Sequence, residues 1–144
     1  MRDLASNIAF ANAWTVAFLN GSAEIAGATI DAAKFGSVTH IGAFQALAGT
    51  MGIRAEHSDD GSAWESVPHD DMINRDPSLG TGDNGLVLTG VTGASVENFR
   101  VGIRSKKRYH RLVWLDESIG AAGFSTGGTI LGNPINEPVD SIIV

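Results

Sequence analysis

The sequence has no cysteine, only four prolines, few charged side chains and no long apolar run. The lack of cysteine excludes a disulfide framework and a thiolate-bound metal. Charged residues make up 18% of the 144 residues, and the formal net charge is -6. That acidity argues against a nucleic-acid partner, because binding to phosphates requires positive charge. No run approaches the roughly 20 apolar residues of a membrane helix, so we expect no membrane partner.

Glycine, by contrast, is abundant, and its 18 residues separate short apolar stretches as expected of a fold with many turns. The spacing of apolar residues in Ile8–Leu19 fits a helix or a strand. We prefer a strand, so residues 1–20 are predicted to form an N-terminal arm or the first strand. The cleanest alternation of apolar and polar residues is in Thr50–His57, and it is followed by a turn at Ser58–Gly61 and a second strand at Ala63–Val67. This pattern predicts a β-hairpin.

The second half of the chain continues the β pattern after one irregular stretch. Residues 69–93 show little periodicity and are predicted as a long loop, interrupted at most by a short strand at Leu86–Leu88. Further strands are predicted at Val96–Ile103, Tyr109–Leu115 and Thr129–Leu131, and residues 133–144 as an extended tail. The sequence therefore predicts a single all-β domain over residues 1–144. We expect a β-sandwich or a jelly-roll-like fold with extended N- and C-terminal arms.

No motif for catalysis or metal binding is evident. The histidines at positions 40, 57, 69 and 110 are not spaced as metal ligands. His57 and His69 are close in sequence to aspartates, but solvated loop residues around a hairpin explain that arrangement better than a metal site does. Asp59–Ser62 lacks the spacing of an EF-hand calcium loop. We therefore expect neither an enzyme nor a cofactor or metal site.

Charge is segregated along the chain. Six of the ten Lys and Arg residues lie between Arg100 and Arg111, and six of the sixteen acidic residues lie between Glu56 and Asp71. Two interpretations stay open: the charges pair across strands within one chain, or a basic loop meets an acidic patch on a neighbouring subunit. The second interpretation makes nine residues candidates for an interface: Arg104, Lys106, Lys107, Arg108, Arg111, Asp59, Asp60, Asp70 and Asp71.

Two of the three tryptophans are also candidates. Trp64 follows a turn and Trp14 lies in the N-terminal segment, so either could anchor an interface, since aromatic anchors dominate association energies. Placement in the core is the alternative for each. Trp114 lies in an alternating strand and is expected in the core or on a sheet face.

Three segments suggest a family: Asp59–Trp64, Lys107–Leu112 and Leu131–Pro134. Together with the N-terminal RDLASNI, their order resembles the small virion structural proteins encoded near the major capsid gene of many tailed bacteriophages. The resemblance covers most of the chain, and the stretch Asn74–Gly93 departs from it.

The resemblance implies a head decoration (cement) protein, made in the host cytoplasm and located on the outer capsid surface of the virion. Its implied partners are copies of itself, as a homotrimer, and the major capsid protein. One alternative is a head–tail connector or tail component. The other is a carbohydrate-binding β-sandwich that stacks Trp64 or Trp14 on sugar rings.

Overall fold

The chain folds into two antiparallel β-sheets that pack against each other as a β-sandwich, which confirms the all-β prediction. The computed structural model describes residues 8–18, 24–75, 78–82, 84–93, 96–118 and 120–134. Within these ranges there are eleven strands and one 3-10 turn, at His69–Asp71. The strands are β1 (Ile8–Phe18), β2 (Glu24–Ala26), β3 (Ile30–Asp31), β4 (Phe35–Ala48), β5 (Thr50–Ser58), β6 (Glu65–Ser66), β7 (Met72–Ile73), β8 (Leu86–Thr92), β9 (Val96–Ile103), β10 (Tyr109–Asp116) and β11 (Ala122–Pro134).

Sheet A has the strand order β1-β11-β4-β9-β7. Sheet B has the order β2-β10-β5-β6, with β3 beside β10 and β8 beside β5. In sheet A the last described strand, β11, lies between the first strand and β4, as shown by the register Ala11↔Thr129 and Thr129↔His40. The sheet therefore depends on pairing between the two ends of the described chain.

Alternation along the central strands decides which side chains fill the space between the sheets. The strand β4 turns Val38 and Phe44 inward, β5 turns Met51 and Ile53 inward, and β10 contributes Trp114, which is only 1% exposed. Burial of each such side chain stabilises the fold by about 1.5–3 kcal/mol. The core consequently lies along the middle of β4, β5 and β10.

Gly49 is the single residue that connects β4, in sheet A, to β5, in sheet B. Its φ of 70° lies in the left-handed region that favours glycine. A Cβ at this position would come within 2.8 Å of the Cα of Ala121. The Ser118 hydroxyl oxygen accepts the N–H of Thr50 at 2.7 Å and fixes the start of β5 after the corner. A glycine is therefore required at this connection between β4 and β5.

The N-terminal segment enters the sandwich as a strand rather than as a free arm. From Ile8 to Phe18 it pairs with β11, with one irregularity between Ala11 and Ala13. At the other end of the chain, Asn133 and Pro134 complete β11. The remainder of the predicted tail, residues 135–144, lies outside the described residues, as do residues 1–7.

The predicted hairpin is present, but the predicted loop over residues 69–93 is not a loop throughout. In the hairpin, β5 pairs with β6 through Glu56↔Ser66. Residues 69–93 contain the 3-10 turn, β7 and the seven-residue strand β8. The strand β8 forms because it adds to β5, for example through Thr50↔Thr92. Local periodicity cannot show such a pairing between segments that are distant in sequence.

Candidate interaction surfaces

The outer face of sheet B, together with its adjoining turns, is called the paired face here because its charged side chains contact one another. The Lys107 ammonium lies 3.1 Å from the Asp59 carboxylate and also contacts Glu65. The Arg108 guanidinium donates hydrogen bonds of 3.0 and 2.6 Å to Asp31. The hydrogen bond from Arg108 lowers the pKa of Asp31, and the one from Lys107 lowers the pKa of Glu65. These predicted interface cations therefore have partners within their own chain.

A row of alternating charges crosses the same face. Glu56 is 7% exposed and lies between Arg54 and Arg111, at 2.8 and 2.7 Å. Arg54 also pairs with Glu24 on β2 at 3.1 Å. The Arg111 guanidinium stacks over Trp64, 4.1 Å from the ring centroid, and a cation in this position covers the aromatic face. Of the two interpretations of the charge pattern, the structure supports pairing within the chain for these residues.

Asp60 shapes the turn between β5 and β6. Its carboxylate accepts the N–H groups of Ala63 and Ser62 at 2.8 and 2.7 Å, and the Ser58 hydroxyl at 3.0 Å. These hydrogen bonds favour the ionised carboxylate and lower the pKa of Asp60. Asp60 thus has a local structural role that is common for aspartate in turns.

The other charged candidates surround the 3-10 turn and the segment that leads from β9 to β10. The Asp70 carboxylate lies 3.0 Å from a ring nitrogen of His69. The Asp71 carbonyl oxygen accepts the N–H of Arg104 at 2.8 Å. The side chains of Arg104 and Lys106 are exposed and form no ion pair with another described residue. These two cations are the predicted basic residues that stay available to a partner.

Trp14 faces the interior, which agrees with placement in the core rather than with an interface anchor. Its ring meets Trp114 edge-on at 6.1 Å between centroids, and His40 at 6.0 Å. Gly127 lies opposite Trp14 in β11, and a Cβ there would come within 2.9 Å of the indole. The absence of a side chain at Gly127 therefore leaves the space that Trp14 occupies.

The outer face of sheet A, called the neutral face below, has the opposite character from the paired face. Among the described residues, every large hydrophobic side chain that is exposed belongs to sheet A. Their register places all of them on the side of the sheet that faces away from the core. These residues are Ile8, Phe10, Leu47, Ile73, Val96 and Phe124.

Charge is almost absent from the same sheet. Its five strands contain only two charged residues, Glu97 and Arg100, both on β9. Large apolar patches on soluble proteins mark sites of interaction. Sequence reasoning missed this surface because it looked for charged clusters. The usable signal was the complete lack of Lys, Arg, Asp and Glu from β1, β4 and β11.

Three histidines form a buried polar group between the sheets. The Nδ1 atom of His40 lies 2.8 Å from the Thr129 hydroxyl, and that of His57 lies 2.6 Å from the Ser105 hydroxyl. The Nε2 atom of His110 donates to the Lys107 carbonyl at 2.8 Å. The His57 and His110 rings are 6.5 Å apart.

Burial lowers the pKa of all three imidazoles, and that of His40 falls to about 3. Two of the histidine ring nitrogens, His40 Nε2 and His110 Nδ1, are buried without a hydrogen-bond partner among the described residues. His40 and His110 are each 1% exposed and His57 is 4% exposed. The three side chains are thus held as neutral core residues.

A cleft of about 520 Å³ lies between β8 and β9, and its lining includes Arg75, Glu97 and Arg100. Phe99 also borders the cleft but is only 8% exposed. Within the described ranges, no three His, Asp or Glu side chains come together in a group that could hold a metal ion. The same ranges contain no helix long and apolar enough to span a membrane. No protein-family model matches the chain, and no curated protein or solved structure is significantly similar to it.

Proposed function

We propose that this chain is a structural protein of a tailed bacteriophage virion that binds the outside of the head and stabilises it. The observation that carries the proposal is the neutral face, where a five-stranded sheet that contains only two charged residues exposes apolar side chains. Its proposed partner is the major capsid protein, and its proposed location is the outer capsid surface. The resemblance of the sequence to virion proteins supplies the biological setting.

The neutral face is large enough for a specific contact. Five strands about 4.8 Å apart, with a mean length of about ten residues at about 3.3 Å per residue, cover roughly 800 Å². A standard protein interface buries about this area on each partner. Because the face has few charges, binding requires little desolvation of ions. A contact of this kind, repeated many times over a shell, adds up to a large stabilisation of the assembled state.

The paired face suits the side of the molecule that looks toward solvent. Its ion pairs are satisfied within the chain, for example between Arg111 and Glu56 at 2.7 Å. A charged surface that is internally neutralised stays hydrated and has little tendency to bind other surfaces. We therefore propose that sheet A faces the shell and sheet B faces the medium.

A head–tail connector or tail component would use the same neutral face and differs mainly in copy number. A carbohydrate-binding module is less well supported, because sugar binding needs an aromatic ring with an open face. Trp64 is stacked under Arg111, and Trp14 packs against Trp114. Arg111 thus covers one face of Trp64, and Trp14 is turned toward the core.

Copy number in the virion tests the proposal. We expect quantitative mass spectrometry of purified virions to find the protein at a stoichiometry comparable to that of the major capsid protein. A copy number of about a dozen or fewer would assign it to the connector or tail. Its absence from virions that are otherwise complete would refute a structural role.

Substitutions then test which face binds. We expect L47K/F124K, which adds two charges to the neutral face, to lower attachment to heads that lack the protein by at least tenfold. The matched control is A63K, which adds a charge to an exposed turn beside the paired face. Equal loss in both variants, or loss in A63K alone, would contradict the assignment of faces.

A further inference from the structure

The strand β1 is an edge of sheet A that lacks most of the features that usually protect an edge. It has eleven residues, IAFANAWTVAF, without a charged residue or a proline. On one side it pairs with β11, and no other described strand pairs with it. Free edges present unpaired N–H and C=O groups, and proteins normally shorten or charge them because they recruit further strands.

The other edges of the two sheets follow the usual rule. The strand β2 has three residues, of which Glu24 is paired with Arg54, and β6 has two residues, including Glu65. The edge strand β7 also has two residues. The strand β8 is longer, but the Glu117 carboxylate accepts the N–H of Gly90 at 2.8 Å and caps part of its edge. In the described structure, β1 is therefore the one long edge that is neither charged nor capped.

The regular part of β1 is its second half. The irregularity between Ala11 and Ala13 interrupts the pairing with β11, and from Ala13 to Phe18 the register runs without a shift. Six consecutive extended residues are a typical length for a strand that pairs with a neighbour. A partner strand can therefore pair continuously along this half.

We propose that β1 pairs with β1 of a second copy of this chain, antiparallel and about a twofold axis, so that two copies share one ten-stranded sheet. An uncharged edge matches an identical uncharged edge, and each strand supplies the N–H and C=O groups that the other lacks. Head-to-tail pairing would instead set β1 against the opposite edge of sheet A, formed by β7 and by the part of β9 that β7 leaves uncovered, which contains Glu97 and Arg100. The edge thus favours a second copy of itself.

The geometry of such a pair has one further effect. Neighbouring antiparallel strands are related by a twofold axis perpendicular to their sheet, so the outer faces of both copies lie on the same side. The two neutral faces then form one surface of double area, with the two β1 strands along its middle. This pairing does not depend on the proposed function, and it replaces the trimer implied by the family resemblance with a twofold pair.

Cysteine scanning tests the proposal directly, because the natural sequence has no cysteine. Single substitutions to Cys at each position of Ala13–Phe18 are oxidised in the purified full-length protein. An antiparallel pairing about a twofold axis brings the same residue of two copies within disulfide range at the axis, where the Cα atoms must be about 4.4–6.8 Å apart. We expect a covalent dimer at one or two positions on the axis and none with the control L47C, which lies on the interior strand β4. Dimers with V96C on β9 and none along β1 would overturn the proposal.

Solution mass provides a second test. We expect light scattering after size exclusion to give twice the 15.0 kDa chain mass for the natural protein. The same measurement should give a single chain mass for I8K/F10K, which adds two charges to each edge strand. L47K is the control and should keep the dimer. A natural protein that is monomeric at all concentrations, or a trimer that I8K/F10K leaves intact, would refute the pairing even if heads still bind the protein. Dimerisation without head binding would instead refute the proposed function alone.

Discussion

His40, His57 and His110 place three titratable side chains in the space between the sheets, where most of the neighbouring side chains are apolar. Each has one ring nitrogen in a hydrogen bond with a hydroxyl or a carbonyl group. The Nε2 atom of His57 lies 3.3 Å from the Glu65 carboxylate, and Lys107 is also nearby. His40, by contrast, has no carboxylate among its described contacts. Protonation of His40 therefore has no compensating partner.

This arrangement predicts a protein that loses stability in mild acid. The pKa of His40 falls from 6.5 to about 3 on folding because burial disfavours the charged ring. Well above pH 6.5, His40 is neutral in both the folded and the unfolded chain. As the pH falls below 6.5, the unfolded chain protonates His40 and the folded chain does not, so the free energy of unfolding decreases. For this one group the loss is about 2 kcal/mol at pH 5.

We expect H40Q to remove that share of the pH dependence, whatever its stability at pH 8. Urea denaturation of the natural protein and of H40Q between pH 8 and pH 5 measures the difference. H69Q is the control, because His69 lies outside the core in the 3-10 turn. If H40Q and the natural protein lose stability equally over this range, the assignment to His40 is wrong.

Glu56 is a nearly buried carboxylate, so its charge must be balanced by neighbouring cations. It is 7% exposed and depends on Arg54 and Arg111 for compensation. We expect R111M to reduce the free energy of unfolding by about 1–2 kcal/mol, since it removes one of two cations from a nearly buried carboxylate and uncovers Trp64. K106M, at an exposed lysine, should change it by less than about 0.5 kcal/mol. Equal effects of the two substitutions in chemical denaturation would contradict this account.

At the scale of single elements, strands with clear alternation were predictable, and glycine-rich ones were not. The hairpin of β5 and β6 follows from apolar alternation and a strong turn signal. By contrast, Gly120–Gly128 looks like a connector, yet most of it belongs to the thirteen-residue strand β11. Glycine has low strand propensity, but here it allows close approach of neighbouring groups that a side chain would block.

Gly127 shows the effect most clearly. A Cβ at this position would meet the carbonyl oxygen of Ile41 and come within 2.7 Å of the Cα of Gly42, both of which are backbone atoms. We expect G127A to destabilise the protein by about 2–3 kcal/mol, because the adjacent strand would have to move. G82A is the matched control, since a Cβ there has no described atom within 4 Å. Thermal unfolding of both variants tests this, and equal melting temperatures would refute it.

At the scale of the whole molecule, the sequence did not reveal which surface is free. Along the chain, Lys107 belongs to a basic patch, whereas Asp59 and Glu65 belong to a separate acidic patch. The pairing of β5 with β10 brings the two patches together. Such cancellation depends on the order of strands in the sheet, which composition does not encode. The neutral face likewise exists only because β1, β11 and β4 become neighbours.

The distribution of charge predicts how attachment to heads responds to salt. If the neutral face forms the contact, raising NaCl from about 50 mM to about 500 mM should change the affinity by less than about threefold, since few charges are screened. A binding titration at the two concentrations measures the change. A loss of tenfold or more would show that exposed cations such as Arg104 and Lys106 form the contact instead.

The position of β11 between β1 and β4 also determines when the protein can fold during synthesis. Of the described strands, β1 is synthesised first, but its neighbour in sheet A, β11, is synthesised last. Contacts that span almost the entire chain are slow to form. Until β11 is synthesised, the uncharged eleven-residue strand β1 lacks its partner and can associate with other nascent chains. Premature termination before β11 would therefore yield an aggregation-prone fragment rather than a smaller working protein.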